Sequence, residues 1–298
     1  MKKLRIIMSL AVLFILFVMC ERIFEENPVP LPPPSTSYSE LEAKIRAKYD
    51  SWAKFTWDQY KQFLRELSDN KFKVLPLNEM RKTHDNSKVI IGLRHDVDLN
   101  PFKALDMARI EHTYGIRATY FILPTSEYYG RLEGRKFITN AGLDEVISNI
   151  YKTGAEIGVH NDLLTVMIDY GINPFNFNKD NLAFLKSLHI PIYGTSAHGS
   201  KISKSTVPNF QIFSDYAKKD TIHYNGKTFP LGKHSLKEYG YEYEAYFLDF
   251  SLYLSDSDGK WNVPGGFDGI IEKLRQSVPG DRIEILIHPV WWGKQSSN

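Results

Sequence analysis

The chain has 298 residues, 43% of them hydrophobic and 24% charged, enough for one globular domain with a sizeable core plus a short appendage. A formal net charge of +2, with basic residues scattered among acidic ones, excludes the concentrated positive stripe that a nucleic-acid partner requires. The single cysteine, Cys20, excludes an intrachain disulfide and a thiolate cluster, so any metal must be held by histidine and carboxylate.

At the N-terminus, Lys2, Lys3 and Arg5 precede an apolar run from Ile6 to Cys20, the charged n-region and apolar h-region of an export signal. Residues 1–22 are therefore expected to be a signal peptide or membrane anchor, with the remainder exported. Acylation of Cys20, an uncleaved anchor and cleavage with release all remain open. The run from Glu26 to Ser39 has five prolines in its first nine residues, so residues 23–40 are expected to form a semi-rigid spacer. The folded domain should then occupy residues 41–298.

Its first predicted element is a helix near Thr56 to Ser68, where Thr56 and Gln59 make a capping box and Tyr60, Phe63, Leu64 and Leu67 fall at helical spacing. From Lys88 onward the pattern alternates. Strands are expected at Val89 to Leu93, Ala118 to Leu123, Glu156 to Val159, Ile192 to Thr195, Ala245 to Phe250 and Ile283 to Ile287. Helices are expected at Pro101 to Tyr114, Leu143 to Lys152, Asn176 to Leu188 and Gly266 to Gln276. Such alternation means parallel strands with crossover helices, closed as an incomplete α/β barrel or open and doubly wound. The placement of polar residues favours the barrel. The segment from Lys201 to Tyr243 is the expected specificity region, with no readable code for what it recognises.

Four of these strands run into chemistry-bearing side chains: Arg94-His95-Asp96-Val97-Asp98, His160, His198-Gly199 and His288-Pro289. In α/β barrels the C-terminal strand ends form the active-site face, so these residues should converge there. Asp96 and Asp98, two apart in extended backbone, point the same way, one suited to bind a cation and the other to act as base. Asp98, His160 and His198 together make a ligand set suited to catalytic zinc with an open position for water. His288 is left for proton transfer to a leaving group. Each also has a plainer role open to it, as turn former, core histidine or loop residue. For the carboxylates, however, Asn100 and Pro101 already supply the N-cap and first helical residue.

The strings Gly92-Leu-Arg-His-Asp-Val-Asp-Leu-Asn100, Gly115-Ile-Arg-Ala-Thr-Tyr-Phe121, Glu156-Ile-Gly-Val-His160, His198-Gly199 and Ile285-Leu-Ile-His-Pro289 resemble the polysaccharide deacetylases, the NodB-homology group, in its branch with a His-Asp-Val-Asp first motif. The resemblance covers roughly Thr56 to Trp292. It implies a distorted (β/α) barrel of about seven strands and hydrolysis of N-acetylated carbohydrate with one divalent metal ion, zinc being expected. Residue by residue, it makes Asp96 the base, Asp98 the metal-binding aspartate, His160 the first metal histidine and His288 the acid.

Two positions depart from the family pattern. The usual second metal histidine falls on Leu164, and His198 is the expected replacement. No Arg-containing third motif is apparent, so the group that usually orients the base is either missing or supplied by Arg94. The segment from Ser255 to Trp261 loosely resembles the family's Asp-Trp motif, which makes Asp256 the candidate to orient His288. Two other activities fit the same residues: carbohydrate binding without catalysis, and ester hydrolysis by an O-deacetylase.

Overall fold

The computed structural model describes residues 35–134 and 136–294; the expected signal segment and spacer residues 23–34 lie outside that range. The spacer's last expected residues are instead the start of a helix, α1 (Thr36–Tyr49). Ser35 caps it by accepting from the Tyr38 backbone N–H, and burial of Tyr38, Leu41, Ile45 and Tyr49 gives this segment the apolar face a free spacer would lack. Helix α2 (Trp57–Leu67) carries the expected capping box between Thr56 and Gln59. It buries Tyr60, Phe63, Leu64 and Leu67.

The centre is a curled, all-parallel sheet. Its strands are β1 (Phe72–Leu75), β2 (Val89–Val97), β3 (Thr119–Ile122), β4 (Glu156–Asn161), β5 (Gly194–Ala197), β6 (Tyr243–Glu244), β7 (Leu252–Ser255) and β8 (Arg282–Ile287). Seven form the continuous path β6-β5-β4-β3-β2-β8-β7, and β1 pairs with the first half of β2. Helices α3 (Pro101–Thr113), α4 (Leu143–Lys152), α5 (Pro174–Ser187) and α6 (Gly266–Gln276) surround it. This is the expected α/β class and distorted (β/α) barrel, open between β6 and β7.

One predicted strand is corrected. Ala245 to Phe250 is not a strand: Ala245–Phe247 is a 3₁₀ turn, capped by Glu244, whose side chain accepts from the Tyr246 N–H at 2.8 Å. The fifth predicted strand is therefore replaced by β6 and β7 on either side of that turn. The strand expected at Ile192 to Thr195 lies slightly later, at β5.

Strand alternation sorts the core. On β2, Val89, Ile91, Leu93 and Val97 join the main core with the helices' apolar residues, while on β8 Ile283, Ile285 and Ile287 do the same. The alternate residues, Ile90, Gly92, Arg94 and Asp96 on β2 and Glu284 and Leu286 on β8, face the barrel interior. Leu75, Leu77, Met80, Phe121 and Tyr243 plug that interior at the N-terminal end of β2. Gly92 is required there, because a Cβ would collide with Met80 and would come within 2.6 Å of Leu77. Above the plug the interior is polar. Among the described residues no helix is long and apolar enough to cross a membrane.

Candidate functional site

Arg94 lies at the floor of this polar interior, fully buried. Its Nε and Nη2 donate to the two oxygens of Asp96 at 2.9 and 2.8 Å, and its Nη1 donates to Glu284 Oε1 at 2.7 Å. Nη2 also donates to the Ser196 hydroxyl. The guanidinium stands 4.7 Å from the Tyr246 ring centroid and 5.5 Å from that of Phe121, so aromatic faces close what the hydrogen bonds leave open. Burial acts to raise the Asp96 pKa, but Arg94 and then His160 outweigh it, and the carboxyl is held below its ordinary value. Asp96 is thus ionised at neutral pH.

One layer above, three donor atoms converge. Asp98 Oδ1 lies 3.3 Å from His160 Nε2 and 3.3 Å from His198 Nδ1, and the two imidazole nitrogens are 3.1 Å apart. Asp98 Oδ1 is buried with no hydrogen-bond partner of good geometry, an unsatisfied oxygen aimed between two imidazoles. Burial acts to raise the Asp98 pKa, but contacts with His160 and His198 hold it well below the usual range. His160 Nδ1 lies 2.9 Å from the Ser196 carbonyl and must donate there, which leaves Nε2 with its lone pair toward the pocket. Ligand atoms on a tetrahedron with bonds of 2.0–2.1 Å stand about 3.3–3.4 Å apart. Two of the three observed separations match that edge and the third, 3.1 Å between the imidazole nitrogens, falls just inside it, so Asp98, His160 and His198 fit one metal ion.

His288 completes the rim. Its Nδ1 lies 2.7 Å from Asp256 Oδ1 and donates to it, and its backbone N–H donates to the same oxygen at 2.9 Å. Asp256 Oδ2 accepts from Trp292 Nε1 at 2.9 Å, so the buried carboxylate is satisfied on both sides. His288 Nε2 faces Asp98 Oδ2 at 4.0 Å. Burial lowers the imidazole's pKa, but Asp256, Asp98 and Asp96 together push it up to about 9. These residues surround a cavity of about 230 Å³ with Lys204, Tyr246, Asp258 and Trp291 on its walls.

The structure therefore brings Asp96, Asp98, His160, His198 and His288 into one pocket, with Arg94 and Asp256 directly behind it. Leu164, where the resemblance expects a histidine, is fully buried in the short helix Leu163–Ile168 and belongs to the main core. Sequence reasoning missed Glu284, a lone carboxylate in the apolar run Ile283-Glu-Ile-Leu-Ile287 whose pKa burial raises to about 7 despite Arg94. It also missed Trp292 as the second partner of Asp256. A second polar cluster, on the helix side of the sheet, joins His95 Nε2 to Glu111 Oε1 at 2.6 Å and Tyr120 to Glu111 Oε2 at 2.7 Å. Its residues are sealed from the pocket and tie β2, β3 and α3 together.

The fold and pocket define an α/β barrel with a polar, metal-competent site at the C-terminal ends of its strands. Comparison of the chain with protein-family models, with curated proteins and with solved structures finds no match.

Proposed function

We propose that this chain is a metal-dependent hydrolase that removes acetyl groups from N-acetylated sugars. The observation that carries the reading is the convergence of three donor atoms, 3.1–3.3 Å apart and so close to tetrahedral spacing, between an ionised Asp96 and a His288 with one nitrogen free. A divalent ion such as zinc, held by Asp98, His160 and His198, would supply an acidified water and polarise the amide carbonyl. The chain's own residues do the proton work. Asp96, kept ionised and oriented by Arg94, accepts the proton of the attacking water. His288, with Nδ1–H fixed on Asp256, carries its exchangeable proton on Nε2 and gives it to the departing sugar nitrogen as the C–N bond breaks. Water and amide thereby become acetate and an amino sugar, with every proton accounted for. The motif resemblance points to the same reaction, and the charged and apolar pattern of residues 1–22 supports an exported, membrane-tethered enzyme.

The test is release of acetate from β-1,4-linked N-acetylglucosamine oligomers by protein loaded with zinc, against chelated protein and Asp98→Ala. Metal-dependent release supports the reading. Sugar binding without release in zinc-loaded protein would favour a carbohydrate-binding protein, and release from O-acetylated but not N-acetylated sugars an esterase.

A further inference from the structure

His160 and His198 face the same site but are held there by different means. The ring of His160 is fixed through its second nitrogen, Nδ1, which donates to the Ser196 carbonyl at 2.9 Å. That is the usual way in which a ligand histidine is oriented. His198 turns Nδ1 toward the site, and its Nε2 makes no hydrogen bond among the described residues. Its side chain is 21% exposed, against 2% for His160, and it stands one residue past the end of β5. What keeps this ring at the metal position therefore acts chiefly through its backbone.

Both backbone polar groups of His198 are taken. Its N–H donates to the Asn161 carbonyl at 2.8 Å, which carries the β4–β5 pairing one residue further. Its carbonyl accepts from Asn209 Nδ2 at 2.8 Å and from the Ser203 hydroxyl at 3.2 Å. Asn209 is fully buried and opens the 3₁₀ turn Asn209–Ile212. The second Nδ2 proton goes to Asp162 Oδ1 at 3.1 Å, Oδ1 accepts from the Leu164 N–H at 2.9 Å, and the backbone carbonyl accepts from Asn161 Nδ2 at 3.2 Å. Asp162 is itself anchored, taking the Thr165 hydroxyl on Oδ1 at 2.8 Å and the Thr125 hydroxyl on Oδ2 at 3.0 Å. One amide thus ties the His198 backbone to residues 161–164, which follow His160 in the chain.

This pattern demands an amide. The Leu164 N–H can only donate and the His198 carbonyl can only accept, so one side chain must offer an acceptor and two donors. A hydroxyl has a single proton. A carboxylate would set its charge against Asp162 and the His198 carbonyl. Each of these buried groups is costly to leave unpaired, so the network holds or fails as a unit.

We infer that Asn209 is a positioning residue for the metal, clamping the His198 backbone so that Nδ1 stays at the distance from His160 Nε2 that one shared ion requires. Asn209 lines neither the metal position nor the pocket and acts only through His198. This rests on the metal-site part of the proposed function and adds the means by which a ligand at the start of a loop is preorganised. The test is zinc affinity, read by competition with a chromophoric chelator on the full chain, with melting curves of the metal-free proteins to confirm folding.

Asn209→Ala should weaken zinc binding roughly 10- to 100-fold, the range for lost outer contacts of a metal ligand. In a His198→Ala background, where the clamped ligand is already gone, the same substitution should change the residual affinity by less than about twofold. Unchanged affinity in Asn209→Ala, or an equal loss with and without His198, would overturn the clamp, because Asn209 would then not act through that ligand. Should Asn209→Ala fail to fold, Ser203→Ala removes the other donor to the same carbonyl. A weakening of roughly two- to fivefold that vanishes in His198→Ala then supports the clamp, and no weakening refutes it. A parent chain that binds no zinc removes the metal site and the clamp with it. Zinc affinities that follow this pattern without any acetate release keep the clamp and remove the hydrolase.

Discussion

Asp256 Oδ1 takes both the Nδ1 proton of His288, at 2.7 Å, and its backbone N–H, at 2.9 Å, so one buried oxygen fixes the ring's tautomer and its position together. Asn at position 256 cannot accept both protons and also satisfy Trp292 Nε1. Only Asp98 and Asp96 would then oppose burial at His288, so its pKa should fall from about 9. Turnover should drop by roughly 10²-fold or more, the scale of a lost acid–base group or a misplaced tautomer. Imidazole titration by NMR in metal-free protein checks the first claim, and a value still near 9 in Asp256→Asn would refute it.

Metal binding is predicted to need three side chains from three strand ends. Purified protein dialysed against zinc should hold one ion per chain, read by elemental analysis, and Ala at Asp98, His160 or His198 should remove most of it. The His198 variant is the most informative, because family resemblance does not supply that ligand. Full occupancy in His198→Ala would mean that Asp98 and His160 bind the ion with some other group.

The barrel was legible because parallel strands buried on both faces are written as apolar runs, and their ends carried Asp96, Asp98, His160, His198 and His288 in plain view. What lay hidden depended on contacts between distant residues. Glu284 appears in sequence as an interruption of an apolar strand, and only the side-by-side register of β8 with β2 brings it to Arg94. The strand expected at Ala245 to Phe250 failed because Glu244 spends its carboxylate on capping a turn. Tyr38 gave too weak an apolar signal, beside so many prolines, to reveal that a helix starts at Thr36. The hairpin Thr221–Tyr224 with Lys227–Pro230 did have a readable signal in Asn225-Gly226, both at positive φ, as such a two-residue turn requires.

Arg94 neutralises a floor that would otherwise hold uncompensated negative charge. Arg94→Leu should destabilise the protein by about 3–5 kcal/mol at pH 8, the range for breaking a buried ion pair on one side. The loss should shrink at pH 5, where Glu284, with a pKa near 7, is protonated in either case. Urea unfolding at the two pH values is the measurement; an equal loss at both would mean that the cost is packing rather than charge.

Asp96→Asn keeps the shape of the side chain but cannot take a proton, so it should lower turnover by about 10²–10⁴-fold while zinc content stays near one per chain. Loss of the zinc with the activity would make Asp96 a ligand rather than the base.

Zinc should offset the stability that the ion-free chain loses as pH rises. In the ion-free chain Glu284 rises from 4.5 to about 7, His288 rises from 6.5 to about 9 and His198 also rises, so the folded state holds protons more tightly than the unfolded state. Stability from such groups is full below the unfolded values and is lost as pH climbs through the folded ones. Asp96 and Asp98 are lowered from 3.8, so their contribution is present above that value and lost in acid. Chelated protein should therefore be most stable near pH 5 and weaken steadily toward pH 9. Zinc competes with the proton that His198 Nδ1 must carry to reach His160 Nε2 and Asp98 in the ion-free site, so its binding releases protons and strengthens as pH rises. The added stability grows as RT ln(1 + [M]/Kd), which makes the zinc and chelator curves meet in acid and separate with rising pH. Denaturant midpoints across pH 5 to 9, with saturating zinc and with chelator, decide the matter. Curves that stay parallel throughout would show that no proton-linked metal site exists at Asp98, His160 and His198.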